Sequence, residues 1–364
     1  MIEDPLLTTD NCRYCLMCRH ACPVAHVTRS ETYSPHGWGL TIASIRRDLL
    51  DLDDETIDVI YSCADCGTCR SNCVTDQPLP SAIATMRAVI TNKDLTPKTV
   101  REVHDKLKKW DNPYGERPSE EPSNESDVAL FVGDHAHFLS PTLIKSVVKL
   151  LNAVGVEPAL IGVGRNNGYL ASSLGYPELS ATLMLQTLDE LEAINPKSML
   201  VLTPGDYYTF NQMHEERNGL KWPDDVDLQE VIPYLGQCLT AGTIGFKLLN
   251  GSVPYAYVDP THSVRVPERF DAPRQLLDAA MKSPRVELFW RRERTHPSGD
   301  GALQYTQPQL ASHLAYSLLG DVAASGARKI VTEDPAALSQ LMNYSKRFNL
   351  DGKNLYELLA EQLV

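Results

Sequence analysis

The chain has 364 residues, of which 43% are hydrophobic and 22% are charged, and this composition excludes a largely disordered, collagen-like or coiled-coil protein. Its length predicts two or three domains at roughly 150 residues each, and its net charge of −13 argues against general binding to nucleic acid or to anionic membrane surfaces. Because no apolar run is long enough to predict a membrane span and the first residues do not resemble a signal peptide, we expect a cytoplasmic protein, whose association with a membrane would depend on its partners.

Eight of the nine cysteines lie between Cys12 and Cys73 and form two runs with the same spacing. Each run reads C-x2-C-x2-C-x3-C, and Pro23 follows the first. This is the spacing of a bacterial-type [4Fe–4S] binding run, in which the fourth cysteine ligates the other cluster. Three thiolates on one turning loop reach three corners of a cubane, and the fourth corner needs a ligand from elsewhere. We therefore predict two [4Fe–4S] clusters, one held by Cys12, Cys15, Cys18 and Cys73, the other by Cys63, Cys66, Cys69 and Cys22.

Other cysteine chemistries fit this pattern less well. Disulfides need an oxidising compartment, and no export signal is visible. Zinc sites typically use one C-x2-C pair on each side, so two zinc ions would match the number of thiols, eight, but not the spacing of the cysteines. A c-type haem needs C-x-x-C-H, whereas Arg19 follows Cys18 and Gly67 follows Cys66.

The residues around the two runs predict helices. Apolar residues recur at helical spacing from Leu40 to Leu52, and shorter helices are predicted at Asp54–Ser62 and Pro80–Ile90. We expect residues 1–110 to form an α-helical, ferredoxin-like domain. Four of its arginines are candidates for neutralising cluster charge or contacting a partner, although a solvated helix face is the simpler interpretation of each: Arg46, Arg47, Arg70 and Arg87.

Residues 111–127 are rich in proline, serine and asparagine and contain six acidic residues against one arginine. This composition predicts a solvated acidic linker.

The remaining residues alternate between predicted strands and helices, which favours a mostly parallel sheet. Predicted strands are Val128–Val132, Ala159–Val163, Met199–Leu202, Val253–Val258, Val286–Trp290 and Lys329–Val331; predicted helices are Pro141–Val154, Leu183–Ile194, Leu228–Thr240, Pro273–Met281 and Gln307–Ser325. Because the pattern recurs, we predict two α/β repeats that arose by internal duplication. The first covers 128–250, and the second covers 251–364 and ends with a C-terminal helix.

Cys238 lies in a predicted helix and is expected to be a small buried apolar residue. The fold class is thus an α+β multidomain protein.

The doubled cysteine run, the segments Ser34–Gly37 and Asn112–Gly115, and the duplicated α/β body resemble a family of iron–sulfur electron-transfer subunits. Its members are the iron–sulfur subunits of glycolate oxidase and anaerobic glycerol-3-phosphate dehydrogenase and the catalytic subunits of heterodisulfide reductase. The resemblance implies five cysteines in each repeat: one after the first strand, a Cys-Cys-Gly and a Cys-Pro-x-Cys.

This sequence has no cysteine at any of those positions, although the glycines and prolines that shape the turns persist. The corresponding residues are Asp134, Asn166-Asn167-Gly168 and Thr203-Pro204-Gly205-Asp206 in the first repeat, and Asp259-Pro260-Thr261-His262, Pro297-Ser298-Gly299 and Asp334-Pro335-Ala336-Ala337 in the second. Because iron–sulfur clusters need thiolates or occasionally imidazole, we expect no cluster and no heterodisulfide-type thiol chemistry in the body.

Two weaker signals remain in the body. The loop Gly162–Gly168 follows a strand but does not match G-x-G-x-x-G, so nucleotide binding is disfavoured. A metal site at the strand ends is one interpretation of a group of imidazoles and carboxylates, although hydrogen-bonded, turn-capping histidines are the simpler one: His135, His137, His262, Asp134 and Asp259.

These observations predict an electron-transfer subunit without catalytic residues of its own. The resemblance implies a flavin-containing dehydrogenase or an electron-transfer flavoprotein as partner, with an intact Cys-Cys-Gly homologue as a further candidate. Two alternatives stay open. In the first, the body holds a substrate or flavin pocket and the protein acts as a reductase. In the second, the chain is mainly an assembly subunit and its clusters are structural.

Overall fold

The N-terminal part of the computed structural model is built from short helices. The structure describes residues 4–7, 12–118 and 126–364. The helices of the N-terminal part are α1 (Met17–Ala21), α2 (Pro23–Thr28), α3 (Pro35–Arg46), α4 (Asp54–Tyr61), α5 (Thr68–Ser71), α6 (Leu79–Asn92) and α7 (Lys98–Trp110).

Helix α3 lies further towards the N-terminus than its apolar spacing predicts. Ser34 accepts a hydrogen bond from the Gly37 amide and Pro35 occupies the first turn, so the helix begins there. Asp48 has a left-handed backbone with φ 54° just beyond the helix end. The prediction of a helix over 40–52 was therefore wrong in its bounds, and Leu49 lies outside the helix and is 71% exposed.

The body contains two sets of strands and helices. The first set is β1 (Val128–Val132), α8 (Gly133–Leu139), α9 (Pro141–Ala153), β2 (Ala159–Val163), α10 (Tyr169–Leu174), α11 (Pro177–Ile194), β3 (Ser198–Val201), α12 (Pro204–Tyr208), α13 (His214–Asn218), β4 (Asp227–Glu230) and α14 (Val231–Thr240), with a π-helical turn at Thr209–Met213. The second is β5 (Tyr255–Tyr257), α15 (Ala272–Ala280), β6 (Arg285–Val286), α16 (Leu303–Thr306), α17 (Pro308–Ala324), β7 (Lys329–Thr332), α18 (Pro335–Ser345), β8 (Asp351–Asn354) and α19 (Leu355–Gln362).

The two sheets have the same strand order. The first sheet is ordered β2-β1-β3-β4 and the second β6-β5-β7-β8, and every pairing between these strands is parallel. The predicted α+β fold class with parallel sheets is confirmed. The matching order also supports the internal duplication, while the exact domain boundaries stay a prediction.

The edge strands β4 and β8 have no counterpart among the predicted elements. Their sequences, DLQE and DGKN, lack the apolar alternation that marks a strand. Each is followed directly by a helix, which is why the helix predicted from Leu228 begins only at Val231. The strand predicted over 286–290 is reduced to the two residues of β6. Cys238 lies on α14 and is half-buried against the core rather than fully buried.

The N-terminal helices and the body share one apolar core. Trp38 and Ile83 belong to the same buried cluster as Leu174 of the first repeat and Leu303 and Leu314 of the second. The N-terminal part therefore packs directly on both repeats, with α10 and α16 among the contacting helices.

The predicted solvated linker begins with a turn around a buried side chain. Asn112 is fully buried; its side chain donates to the carbonyls of Trp110 and Glu116 and accepts from the amides of Tyr114 and Gly115. These bonds make a compact turn at the start of the predicted linker, whereas Glu116 and Arg117 are exposed, and the solvated linker stays a prediction. Residues 119–125 of the predicted linker lie outside the described residues.

Candidate functional site

The two cysteine loops have the same backbone conformation. In Cys12–Cys18, Tyr14 and Leu16 are left-handed with φ 54° and 61°, and in Cys63–Cys69 the matching Asp65 and Gly67 are left-handed with φ 50° and 85°. Left-handed backbone is unfavourable for residues other than glycine. Its recurrence at the same two positions shows that both loops are wound in one specific way.

The same loop geometry directs backbone amides at sulfur. The Tyr14 amide donates to Cys12 Sγ at 3.4 Å and the Asp65 amide donates to Cys63 Sγ at 3.3 Å. Beyond the loops, the Ala25 amide donates to Cys22 Sγ at 3.5 Å. Such donors favour the thiolate over the thiol.

Thiols of the two predicted ligand sets lie near one another within each set, and Cys69 of one set also neighbours Cys18 of the other. We name the two sets site 1 (Cys12, Cys15, Cys18 and Cys73) and site 2 (Cys22, Cys63, Cys66 and Cys69). Burial, together with the neighbouring thiols of the other three members of site 1, raises the pKa of Cys18 to about 11. Burial, with smaller contributions from Cys66 and Cys63, raises the pKa of Cys22 well above its usual range.

Helix packing explains the crossed grouping. Helix α1 begins just before Cys18 and packs against α5, which carries Cys69. The residues that follow each helix, Cys22 and Cys73, are thereby brought to the other loop. A cavity of about 290 Å³ is lined by all four thiols of site 2. A larger cavity of about 520 Å³ is lined by Cys12, Cys18 and Cys73 of site 1, and Cys69 borders it as well.

The two sites differ in exposure. The thiol residues of site 2 are 4–9% exposed, whereas Cys15 of site 1 is exposed and its other members are half-buried. Burial raises the pKa of Cys63 in site 2 to about 12. Burial acts on Cys73 in the same direction, but hydrogen bonds from Thr75 and Gln77 outweigh it and lower the pKa of that thiol. Deprotonation of the thiols, which metal binding requires, carries the larger penalty at site 2.

Charged side chains from the body reach the loop of site 2. Asp65 accepts two hydrogen bonds from Arg217, at 2.8 and 2.9 Å. Arg265 donates to the Asp65 carbonyl at 2.8 Å and to the Cys66 carbonyl at 3.2 Å. Burial acts to raise the pKa of Asp65, but Arg217 and Arg265 outweigh it and hold that pKa well below its usual range.

Of the four arginines singled out in the sequence, only Arg87 lies buried against a cysteine loop. It is 1% exposed and donates to the Cys63 carbonyl at 2.8 Å. Arg70 forms ion pairs with Asp76 and Glu216. Sequence reasoning missed Arg217 and Arg265, because no local pattern marks them and they meet Asp65 only through the fold.

Six of the ten positions at which the resemblance implies cysteines line one cavity in the body. This cavity lies where β1, β3 and β7 end, so residues of both repeats line it. Its polar lining includes Asp134, Asn166, Asn167, Thr203, Asp206, His262, Asp300 and Asp334. The sequence located most of these turns but did not predict that the two repeats share one cavity.

Carboxylates surround His135 in this cavity. Burial acts to lower the pKa of His135, but Asp134, Asp334, Asp206 and Asp300 outweigh it and raise that pKa. Burial raises the pKa of Asp206 to about 6 and, with the charge of Asp300, that of Asp334 to about 7. The cavity therefore holds carboxyl groups that titrate close to neutral pH.

The residues weighed as a metal site are not all brought together. Asp134, His135 and His262 line the cavity, but Asp259 is bound by Arg274 at 2.8 Å and His137 lies edge-on against Phe138. Across the described ranges, no three His, Cys, Asp or Glu side chains are placed to hold a single metal ion. Among the described residues, the Nε2 atom of His262 is buried without a hydrogen-bond partner, and the turn-capping role of this residue stays a prediction.

The family described as "4Fe-4S dicluster domain" matches residues 8–76. An uncharacterised iron–sulfur protein of Methanococcus maripaludis is 24% identical over 298 residues, 76% of this chain and 56% of that protein, so the match spans little more than half of its length. One subunit of the dihydromethanophenazine:CoB–CoM heterodisulfide reductase of Methanosarcina mazei is 23% identical over 330 residues, 85% of this chain and 79% of that protein.

The crystal structure of a hypothetical protein from Helicobacter pylori has a similar fold, with a TM-score of 0.57 and 12% identity over 90% of this chain and 68% of that one. At this identity the likeness concerns the fold alone. In the described part of the chain, none of the helices has the length and apolarity that a membrane crossing requires. The dicluster match and the two relatives confirm that this chain resembles the iron–sulfur subunits of the heterodisulfide reductase type.

Proposed function

We propose that this protein is the electron-transfer subunit of a multi-subunit oxidoreductase and relays electrons through two [4Fe–4S] clusters. Site 1 would hold one cluster and site 2 the other. The observation that supports the proposal is the position of Cys22 beside the thiols of the second loop and of Cys73 beside those of the first, on two loops with left-handed residues at matching positions. When bound, each cluster supplies a one-electron redox centre.

The donor set fits such clusters. Each site offers four soft sulfur ligands, the ligand type that iron–sulfur clusters need. Backbone amides that donate to Cys12, Cys22 and Cys63 favour the thiolate form, and the number of such hydrogen bonds is one determinant of a cluster's potential. The chain's own part is therefore to position the thiolates, to set their surroundings and to exclude water from site 2.

The proposed partners are a flavoprotein, either a dehydrogenase or an electron-transfer flavoprotein, and a second redox protein. The flavoprotein rests on the family resemblance, and the name of the Methanosarcina mazei relative, a reductase subunit, supports membership in a larger complex. An intact Cys-Cys-Gly homologue is a further candidate partner. The body would then act as a scaffold that holds the cluster sites and contacts the partners.

Iron analysis of anaerobically reconstituted protein tests the cluster assignment. We expect about eight irons per chain, and about four after Cys22→Ser or Cys73→Ser, because each removes the fourth ligand of one cluster. Cys238→Ser is the matched control, since Cys238 lies on α14, outside both sites. A wild-type iron content well below eight, or an equal iron loss in the control, would contradict the assignment.

Potentiometric EPR tests whether the clusters carry electrons. A relay requires clusters that are reduced at accessible potentials. If the clusters stay oxidised throughout the accessible range of potentials, they do not carry electrons. Their role would then be structural, and the chain would be an assembly subunit.

The cavity in the body supports a second candidate function, that of a reductase with a substrate or flavin pocket. Residues of both repeats line it at the carboxyl ends of parallel strands, where ligands of such sheets commonly bind, and Asp206 and Asp334 titrate near neutral pH. Flavin bound to the purified protein, or turnover without a partner, would favour this function over a pure relay.

A further inference from the structure

Large apolar side chains are exposed at or beside site 1. We name them the site-1 face: Tyr14 (57% exposed), Leu16 (39%), Met17 (48%), Leu40 (42%) and Val74 (73%). Tyr14 and Leu40 line the cavity of site 1, Leu16 and Met17 lie between two of its thiols, and Val74 follows a third. An exposed apolar surface beside a functional site is a mark of protein–protein contact.

The second loop shows what such a loop tip looks like when it is covered. The residues that match the exposed Tyr14 and Leu16 are Asp65 and Gly67, which have the same left-handed backbone. Asp65 is 2% exposed, and a Cβ built on Gly67 would overlap the guanidinium of Arg265. The chain's own body thus covers the tip of the second loop, whereas the tip of the first is open.

The charge around the first loop indicates what kind of partner fits. Residues 12–30 contain Arg13, Arg19 and Arg29 and no aspartate or glutamate, in a chain whose net charge is −13. Arg13 and Arg29 are exposed, and Arg19 forms an ion pair with Glu31. Exposed arginines such as Arg13, next to a thiol of site 1, favour an acidic partner and speed its approach.

We propose that the site-1 face is the docking surface for a small acidic electron-carrier protein. This inference rests on the proposed function, because the carrier would exchange electrons with the cluster of site 1. One electron passes from the reduced carrier to the oxidised cluster, and no covalent bond is made or broken. Site 2 is enclosed by the body, so site 1 is the centre that a carrier can approach. Few exposed apolar side chains suit a small, transient interface, as in many electron-transfer encounters.

Stopped-flow mixing of the reconstituted holoprotein with reduced plant-type [2Fe–2S] ferredoxin, used as the acidic carrier, tests the proposal. We expect the second-order rate constant of cluster reduction to fall about tenfold in Arg13→Glu and in Met17→Glu, because both place an acidic group on the face. The wild-type rate should also fall steeply as salt is added. Lys282→Glu makes the same charge change as Arg13→Glu at an exposed position of the second repeat and should leave the rate unchanged.

Reduction by dithionite separates the two ways in which the experiment can fail. Wild-type protein that dithionite does not reduce would contradict the proposed function and this inference together. If dithionite reduces the protein but ferredoxin does not, the docking surface alone is overturned. The same holds if the rate constant for reduction by ferredoxin changes neither with salt nor in the two variants. Binding of phosphatidylglycerol vesicles that Arg13→Glu abolishes, with ferredoxin rates unchanged, would identify the face as a membrane-binding surface and equally overturn the proposal.

Discussion

Two cysteine loops of one chain share a backbone conformation and have opposite surroundings. The loop of site 2 is enclosed by the body, and Arg217 and Arg265, which come from different repeats, both contact Asp65. The loop of site 1 presents Tyr14 and Leu16 to solvent. The cysteine spacing therefore determines how each loop is wound, and the rest of the fold determines what surrounds it. A body without cysteines at the family positions still shapes one of the two sites.

The difference has electrostatic consequences. Burial disfavours the added negative charge of a reduced cluster and so lowers its potential, while nearby guanidinium groups stabilise that charge and raise it. At site 2 the two effects oppose each other, since the site is buried and Arg87, Arg217 and Arg265 lie around it together with the buried carboxylate of Asp65. At site 1 solvent screens both effects. Variants at matching positions of the two loops can separate them.

The largest effect is expected from Asp65→Ala. The change leaves Arg217, 5% exposed, and Arg265, 7% exposed, without their buried counter-ion. Breaking a buried ion pair on one side costs about 3–5 kcal/mol. Urea unfolding of the holoprotein, followed by circular dichroism, should show a loss of this size.

The matched control for Asp65→Ala is Tyr14→Ala, at the equivalent position of the first loop. Tyr14 is 57% exposed, so we expect a change within about 0.5 kcal/mol. Equal losses in the two variants would show that the loops differ less in their surroundings than the structure indicates.

Gly67→Ala should destabilise the protein by about 2–3 kcal/mol. A side chain at φ 85° costs roughly 1–2 kcal/mol, and the new Cβ would in addition displace the Arg265 guanidinium. Gly155→Ala isolates the first cost, because Gly155 is left-handed at φ 79° and a Cβ there meets no atom within 4 Å. Thermal unfolding of both variants measures the difference. Stability losses of the same size in the two variants would mean that the contact between Arg265 and the loop does not contribute to the cost.

The sequence predicted the parts of this comparison that depend on local spacing. The two cysteine runs predicted two similar loops, and the glycines and prolines of the body predicted where its strands end. The ion pairs of Asp65 join residues 152 and 200 positions apart, and such pairing is decided by packing. The same holds for the cavity that both repeats line and for β4, whose polar sequence carries no strand signal.

Arg265→Gln should lower the potential of one cluster and leave the other unchanged. Removing one buried positive charge near a redox centre changes the reduction free energy by about 1–2 kcal/mol at an effective dielectric constant of about 20, which corresponds to roughly 40–90 mV for one electron. Potentiometric EPR of the two clusters measures the shift.

Arg265→Lys separates charge from packing at this position. Lysine keeps the positive charge but not the hydrogen bonds to the Asp65 and Cys66 carbonyls, so a potential restored by Arg265→Lys would identify charge as the cause. A potential unchanged in Arg265→Gln would show that Arg265 acts only by holding the loop. An equal shift of both clusters would contradict the separation of the two sites.

The smallest effect is expected from Leu16→Gly, in the first loop. Leu16 adopts φ 61°, which costs roughly 1–2 kcal/mol, and glycine relieves that cost while adding about 0.4–1 kcal/mol of entropy to the unfolded chain. The net result should be a stabilisation of up to about 1 kcal/mol. Met17→Gly, at a similarly exposed residue that begins α1, should instead destabilise slightly, because glycine is a poor helix former. If Leu16→Gly stabilises the protein and also slows reduction by ferredoxin, the strained loop tip is retained for docking; if it destabilises the protein, the first loop is held by contacts that its exposure does not reveal.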